Sequence, residues 1–520
     1  MRLPIIFSQG SFWASFFICI AGLFLAFPNP VLQIPFFIFL FFLGLNYIAF
    51  NAHSKGEAFR WGLLVSGPAY AASLYWIVVP VYVYGHFPLA LAVFVPLLLG
   101  FVLGLFSSLY VFLVHIMSRR FSWLALGIFG GAVWASLEFA REYVLTGFPW
   151  LIAAQAFSIW PESIQAVSIV GSYGLAMLLA CAGIWIYQGR KLPVLAALVL
   201  LVSVLGHGFL LQDADLDAPS KDILIVQGNL DQDIKWEEKI QMTTVEKYKE
   251  LTRQALREKK ADLVIWPETA MPFYLQEQSR MSFMVMNFAQ KQGVNLITGA
   301  PAYEMLDDGI NYQLHNRAFW VSERGLIKNY YDKERLVPFG EYIPWSEHLF
   351  FLDRLVAGPM DFSPGKSTAP LKNEELALGM LICYEIIFPG LVRDRVQRGA
   401  NVLINISNDA WFGPTSAPRQ HLHLSVLRAV EQGRYVVRST NTGISAFIDP
   451  SGRVYKSTSL FQEATLSGRV RLLDEKTFYH VWHWHINWIL AGISLAGLVL
   501  CLVLPAKRTF SGQSYINNKS

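Results

Sequence analysis

The sequence predicts a polytopic α-helical membrane domain of about eight spans joined to an α/β layered domain. Three observations carry this. The 520 residues are 54% hydrophobic and only 15% charged, whereas soluble domains run to about a quarter charged. The apolar residues crowd 1–211 and 486–505, and the region between them has an ordinary globular composition. That middle region alternates short β-rich runs with amphipathic helices, the pattern of a layered α/β domain. A formal net charge of +4 is too small to argue for a nucleic-acid partner.

The spans come first in the chain. Apolar stretches of roughly 17–25 residues can cross the hydrocarbon core. Candidates lie at 10–27, 31–50, 60–80, 88–116, 121–139, 163–187, 192–211 and 486–505. The first has Arg2 ahead of an apolar run but no small-residue cleavage site, so it is expected to be an uncleaved anchor. Lys55 and Arg60, Arg119 and Arg120, and Arg190 and Lys191 fall in every second connection. With Arg2 at the start and Lys507 and Arg508 at the end, the positive-inside rule makes that side cytoplasmic. The expected division is a membrane domain at 1–211 with about seven helices, an extracytoplasmic domain at 212–485, a final span at 486–505 and a cytoplasmic tail at 506–520.

In the middle region, strands are expected at 222–227, 261–266, 294–298, 316–322, 325–331, 376–383, 401–406, 434–440 and 444–449, with one more after the turn at Pro450-Ser451-Gly452. Helices are expected at 237–259 and 280–292, and another begins near Pro418. The apolar run Leu376–Ile382 suggests burial on both faces.

Of the four cysteines, Cys19, Cys181 and Cys501 fall in predicted spans, where they pack as small hydrophobes. Cys383 alone lies in the outer domain. A thiol without a partner in an oxidising compartment suggests a reactive role, with an inert buried cysteine as the alternative.

Reactive residues stand at the ends of apolar strands in four places. These are Trp266-Pro267-Glu268-Thr269, Tyr331–Tyr342, Cys383-Tyr384-Glu385 and Asn405–Phe412. A thiolate attacks acyl carbonyls, but a free cysteine is mostly protonated at neutral pH. Glu268 can take its proton. Lys333 can stabilise thiolate and oxyanion, and Glu341 can hold Lys333 charged and oriented. Each also has a plainer reading: a lone Glu or Lys is usually a solvated charge, Glu385 suits a structural ion pair, and Asn405 and Asn408 suit turns.

Together these strings carry a resemblance. Pro267-Glu268, the Lys333 segment and Cys383-Tyr384-Glu385 resemble the Glu-Lys-Cys triad of the nitrilase superfamily. Leu336-Val337-Pro338-Phe339-Gly340-Glu341-Tyr342-Ile343-Pro344 and Asn405-Ile406-Ser407-Asn408-Asp409-Ala410-Trp411-Phe412 are similar to segments of the apolipoprotein N-acyltransferases. So are Gln227-Gly228-Asn229 with Lys235-Trp236, and Gly147-Phe148-Pro149-Trp150 between spans. The resemblance covers essentially the whole chain. It implies an αββα sandwich, with Glu268 as general base, Lys333 as oxyanion and thiolate stabiliser and Cys383 as nucleophile. It implies Glu341, Tyr384 and Glu385 as supporting residues and Trp236 as a substrate-side aromatic. The implied reaction moves an acyl chain from a phospholipid, phosphatidylethanolamine being the expected donor, through a thioester to a diacylglyceryl-cysteine amine. The implied location is the bacterial inner membrane, with the catalytic domain on the periplasmic side.

Trp411-Phe412-Gly413-Pro414 and the apolar segment 349–356 are expected either to line a lipid entrance or form mobile lids, or to pack on the domain or on the spans. The His-rich run 479–485 precedes the last span and is read as an aromatic interfacial belt rather than a metal site. His421 and His423 match no metal motif. Glu138, Arg141 and Glu142 cluster at the outer end of the fifth span, as a functional group or as mutual ion pairs. No cofactor, metal or nucleic acid is expected, and a monomer suffices.

Overall fold

In the computed structural model, residues 11–206, 208, 218–230, 238–345, 361–366 and 369–505 are described. The expected roles of Trp236 and of the apolar segment 349–356 fall outside these residues, as does the tail from 506.

Seven helices open the chain: α1 (Ser11–Ala26), α2 (Ile38–Asn51), α3 (Lys55–Ser73), α4 (Leu89–Ser118), α5 (Trp123–Ala140), α6 (Val167–Gln188) and α7 (Lys191–Gly206). Ser54 and Ser122 cap α3 and α5, their hydroxyls accepting from Glu57 N and Ala125 N, as exposed helix N-termini require. The last helix, which is α12 in the chain-order numbering completed below, spans Phe478–Val503. It begins eight residues before the expected span at 486, so the His-rich run forms its first two turns. There Tyr479, His480 and His483 are buried, while Trp482 and Trp484 are exposed.

By length and apolarity α4, α5, α6 and the last helix can cross a bilayer. The α3 helix and the following segment to Tyr84, bent by 58°, make a fifth. The other apolar helices, near α1, α2 and α7, are shorter, at 10–17 residues. On this measure the expected count of eight is not reached. Apolar runs were long enough in sequence, but Pro35 and the break after Ser73 shorten the helices they form.

The domain between consists of β1 (Ser220–Gln227), α8 (Glu238–Glu258), β2 (Leu263–Ile265), α9 (Arg280–Gln292), β3 (Asn295–Met305), β4 (Tyr312–Val321), β5 (Ile327–Asp332), β6 (Leu371–Lys372), β7 (Ala377–Ile382), α10 (Pro389–Gln397), β8 (Val402–Ser407), α11 (Ala417–Gln432), β9 (Val436–Thr440), β10 (Ala446–Ile448), β11 (Val454–Ser457) and β12 (Ala464–Arg471), leading into α12. The strands form two six-stranded sheets, ordered β12-β1-β2-β3-β4-β5 and β11-β10-β9-β8-β7-β6.

Strand alternation builds the layers. Ile223, Ile225, Leu263 and Ile265 point inward and meet Leu378, Met380 and Ile382 of the other sheet. The intervening Leu224, Val226 and Val264 face the helical layer of α8 and α9, joined by Trp266 just beyond β2. On the opposite outer face, Leu381 and Leu403 share a core with Leu424 and Leu427 of α11. The result is the expected αββα sandwich. That last core runs on without a break into the membrane helices, so one helical layer of the sandwich is also packed on the membrane domain.

Candidate active site

Cys383 follows directly on β7, which is buried along its whole length. Its backbone turns left-handed, with φ at +51°, a conformation that costs a non-glycine residue about 1–3 kcal/mol. The turn is held by Glu385, which is fully buried. Its Oε2 accepts from Ile382 N at 2.7 Å. Its Oε1 accepts from Tyr331 Oη at 2.7 Å, Glu334 N at 2.6 Å and Arg335 N at 3.0 Å. One carboxylate therefore ties the nucleophile's turn to the segment that carries Lys333.

Glu268 stands on the loop after β2. Gly299 of β3 lets this loop approach closely, since a Cβ there would come within 2.6 Å of Thr269 N and 2.7 Å of Glu268 Cα. Glu268 Oε2 accepts from Asn408 N at 2.8 Å and its Oε1 from Asn316 Nδ2 at 2.7 Å. Lys333 follows β5, and its own N–H donates to Asn316 O at 2.9 Å. Its Nζ lies 3.6 Å from Glu268 Oε1 and 2.9 Å from Glu341 Oε1. Glu341 is fixed in turn by Val337 N, which donates to its Oε2 at 2.8 Å. The structure thus brings together four of the expected residues, Glu268, Lys333, Glu341 and Cys383, from three separate segments.

The electrostatics are those of a water-poor cluster. Burial pushes the Cys383 thiol up to about 12, the Glu268 charge adds to this and Lys333 opposes it. Burial also raises Glu268, against the pull of Lys333. Burial alone would lower Lys333, but the Glu341 and Glu268 carboxylates outweigh it and hold the ammonium well above its usual range. The site at rest therefore holds a neutral thiol, a fixed cation and a carboxylate whose proton affinity is raised toward that of a useful base.

The remaining expected residues sit around this centre. Tyr384 is anchored to the membrane domain, its Oη donating to Gly147 O at 2.7 Å. Trp411 meets Tyr84 edge-on at 4.7 Å between ring centroids, and Phe412 meets Trp76 at 5.0 Å. Both rings pack on residues of the membrane domain. Glu138, Arg141 and Glu142 each bind other groups. Glu138 accepts from Trp134 Nε1 and Ala153 N, both at 2.8 Å. Arg141 donates to Trp150 O, and Glu142 accepts from Tyr173 Oη and Gly390 N, both at 3.0 Å.

Several site residues were not legible in the sequence. Asn316 donates to both Glu268 and Glu341, the second at 3.0 Å, yet it reads only as the first residue of a strand. Arg438 was not singled out either; with Asp409 of the Asn405–Phe412 string and His421, both noted in the sequence, it forms a buried group behind the nucleophile. Elsewhere, Glu304, His315 and Asp332 have ligand atoms within 4.8 Å of one another. The Arg317 guanidinium already occupies that cluster, at 2.6 and 2.8 Å from Asp332 and 3.2 Å from Glu304, so a metal cation would have to displace it.

Two family models match the chain: the apolipoprotein N-acyltransferase N-terminal domain over residues 7–185 and carbon-nitrogen hydrolase over 225–476. The chain is 37% identical to an apolipoprotein N-acyltransferase of Geobacter metallireducens over 87% of its own length and 88% of that protein's. It is 32% identical to one of Pseudomonas syringae pv. tomato over 89% of each. A carbon-nitrogen hydrolase structure from Helicobacter pylori G27 is similar at 19% identity and a TM-score of 0.37, over 51% of this chain and 94% of that one. By the N-terminal family model and the two relatives matched along nearly their whole length, the chain belongs to the apolipoprotein N-acyltransferase family.

Proposed function

We propose that the protein moves a fatty acyl chain from a membrane phospholipid, through a thioester on Cys383, to the N-terminal amine of a diacylglyceryl-cysteine on a lipoprotein. The observation that carries this reading is the buried thiol on a strained turn, with Glu268 and Lys333 setting its charge. It stands on a sandwich whose helical layer is fused with apolar membrane helices.

As Cys383 attacks the ester carbonyl, Glu268 takes the thiol proton. Lys333 Nζ stabilises the oxyanion of the tetrahedral intermediate. Collapse breaks the ester bond, and the leaving lysophospholipid alkoxide receives the proton held on Glu268. In the second half, the amine attacks the thioester carbonyl and Glu268 removes its proton. The C–S bond breaks, and the proton returns to the thiolate. Exclusion of water favours the amine over hydrolysis, and burial of all three groups supports that.

The donor in this reading is phosphatidylethanolamine and the working unit a monomer. The domain between β1 and β12 lies on the periplasmic face of the inner membrane, and the division at 1–211, 212–485, 486–505 and 506–520 follows. Trp236, Trp411 and Phe412 are substrate-side aromatics. The test is N-acylation of a diacylated lipopeptide in phospholipid micelles. Transfer by the wild type and none by Cys383→Ala is the expected result. Release of free fatty acid with no acylated amine would identify a hydrolase instead.

A further inference from the structure

The carbonyl of Cys383 is held by two side chains that the mechanism above does not use. His421 Nε2 lies 3.2 Å from Cys383 O, and Asn405 Nδ2 lies 3.3 Å from the same oxygen. A carbonyl oxygen only accepts, so His421 carries its proton on Nε2. Arg438 sets both donors. Its guanidinium donates to His421 Nδ1 at 3.0 Å, to Asp409 Oδ2 at 2.7 Å and to Asn405 Oδ1. All four side chains are buried. Burial and the Arg438 charge lower His421, against the opposing pull of Asp409, whose Oδ1 lies 3.3 Å from His421 Nδ1.

The residue before His421 on α11 reaches into the membrane domain. Gln420 Oε1 accepts from Trp150 Nε1 at 2.8 Å and Trp76 Nε1 at 3.1 Å. Its Nε2 donates to Pro28 O at 3.1 Å and Ser73 O at 3.3 Å, and its backbone oxygen accepts from Gln155 Nε2 at 2.9 Å. The Trp150 ring also lies 5.5 Å from the His421 ring.

We propose that His421 is a positioning residue for the oxyanion hole, and that the membrane domain fixes its place through Gln420. The reasoning is one of peptide geometry. In a trans peptide the C=O and the following N–H point in opposite directions. Pinning the Cys383 carbonyl toward α11 and β8 therefore aims the Tyr384 N–H away from them, to the side where an acyl oxygen can receive it together with Lys333 Nζ. Cys383 opens a 3₁₀ turn running to Ile387, and the two side-chain donors reinforce the peptide plane that this turn and Glu385 set. The membrane helices then contribute to the chemistry as well as to lipid delivery. This rests on the Cys383 thioester reading.

The test separates acylation from thiol reactivity. A soluble p-nitrophenyl butyrate reports acylation by p-nitrophenol release in detergent micelles, without demanding a bilayer substrate. Iodoacetamide alkylates Cys383 without forming an oxyanion. His421→Ala is expected to slow acylation about 10-fold, the worth of one buried hydrogen bond. KM and the alkylation rate should stay within about twofold. His421→Gln, whose amide can donate to the same carbonyl, should recover part of the loss. Gln420→Ala and Trp150→Phe should lose about 3–10-fold in the same kcat-only manner. The proposal is overturned by full acylation in His421→Ala, by a change confined to KM, or by alkylation that falls in step with acylation. Absence of p-nitrophenol release from the wild type would instead sink the thiol reading on which the proposal stands.

Discussion

Lys333 Nζ lies 3.6 Å from Glu268 Oε1 inside a site where both side chains are more than nine-tenths buried. Two opposite charges held that close and that dry must each depend on the other.

Replacing Glu268 with Gln separates base from charge. The Glu268 carboxylate helps hold the Cys383 thiol high, so its removal leaves more thiolate at a given pH. Alkylation of Cys383 by iodoacetamide at pH 8 is expected to speed up in Glu268→Gln. Acylation by an ester is expected to slow by about 10²–10⁴-fold, the range for losing a general base. Parallel changes in the two rates would show that Glu268 acts only through the thiol's charge.

Lys333→Met leaves Glu268 and Glu341 facing each other without their cation. The loss expected is about 3–5 kcal/mol of stability at pH 7, together with about 10²–10³-fold in acylation. Acid should ease the stability defect, because protonating either carboxyl relieves the repulsion. Thermal unfolding in detergent at pH 5 and pH 8 checks this, and an equal defect at both values would contradict it.

Glu142 joins the end of α5 to the start of α10 through Gly390 N, and burial raises its carboxyl to about 7. A group raised in this way binds its proton more tightly when folded. Its stabilising contribution is complete below the ordinary value of 4.5 and is lost as pH rises through about 7. Wild-type stability should therefore fall between pH 5 and pH 8. Glu142→Gln, which cannot titrate, should flatten that slope. An unchanged slope in the variant would place the titrating group elsewhere.

The fold was legible from periodicity because the driving patterns are local. The helix at 280–292 was expected from its amphipathic pattern and the strand at 376–383 from a continuous apolar run, and they appear at Arg280–Gln292 and Ala377–Ile382. Strand β12 and helix α10 were missed. Strand β12 is half exposed and mixes Thr, Ser, Gly and Arg among its residues, so it shows no clean alternation. Helix α10 has only nine residues and starts at Pro389, directly after the nucleophile's turn.

Site residues with charge or a thiol stood out at strand ends, but Asn316, Gln420 and Arg438 did not. Their roles come from partners 17 to 392 positions away along the chain, which one-dimensional spacing cannot express. Gly299 is a further example, since its value lies in what a Cβ would strike.

Trp411 offers a test of the membrane side. Its ring packs on Tyr84, whose Oη donates to Ala410 O at 3.0 Å. Such a pair contributes about 0.5–1.5 kcal/mol. Trp411→Ala is expected to raise KM for a phospholipid donor about 3–10-fold while leaving a soluble butyrate ester within about twofold. Equal effects on the two donors would exclude a substrate-side role.

The central claim is a thioester on Cys383. The direct measurement is peptide mass spectrometry of the protein after incubation with phospholipid and no amine acceptor. The expected result is a fatty-acyl adduct on the peptide containing Cys383. It should be removed by hydroxylamine, be discharged on adding a diacylated lipopeptide as that peptide becomes N-acylated, and be absent from Cys383→Ala. N-acylation that proceeds at the wild-type rate in Cys383→Ala, with no adduct on the wild-type peptide, would contradict the account.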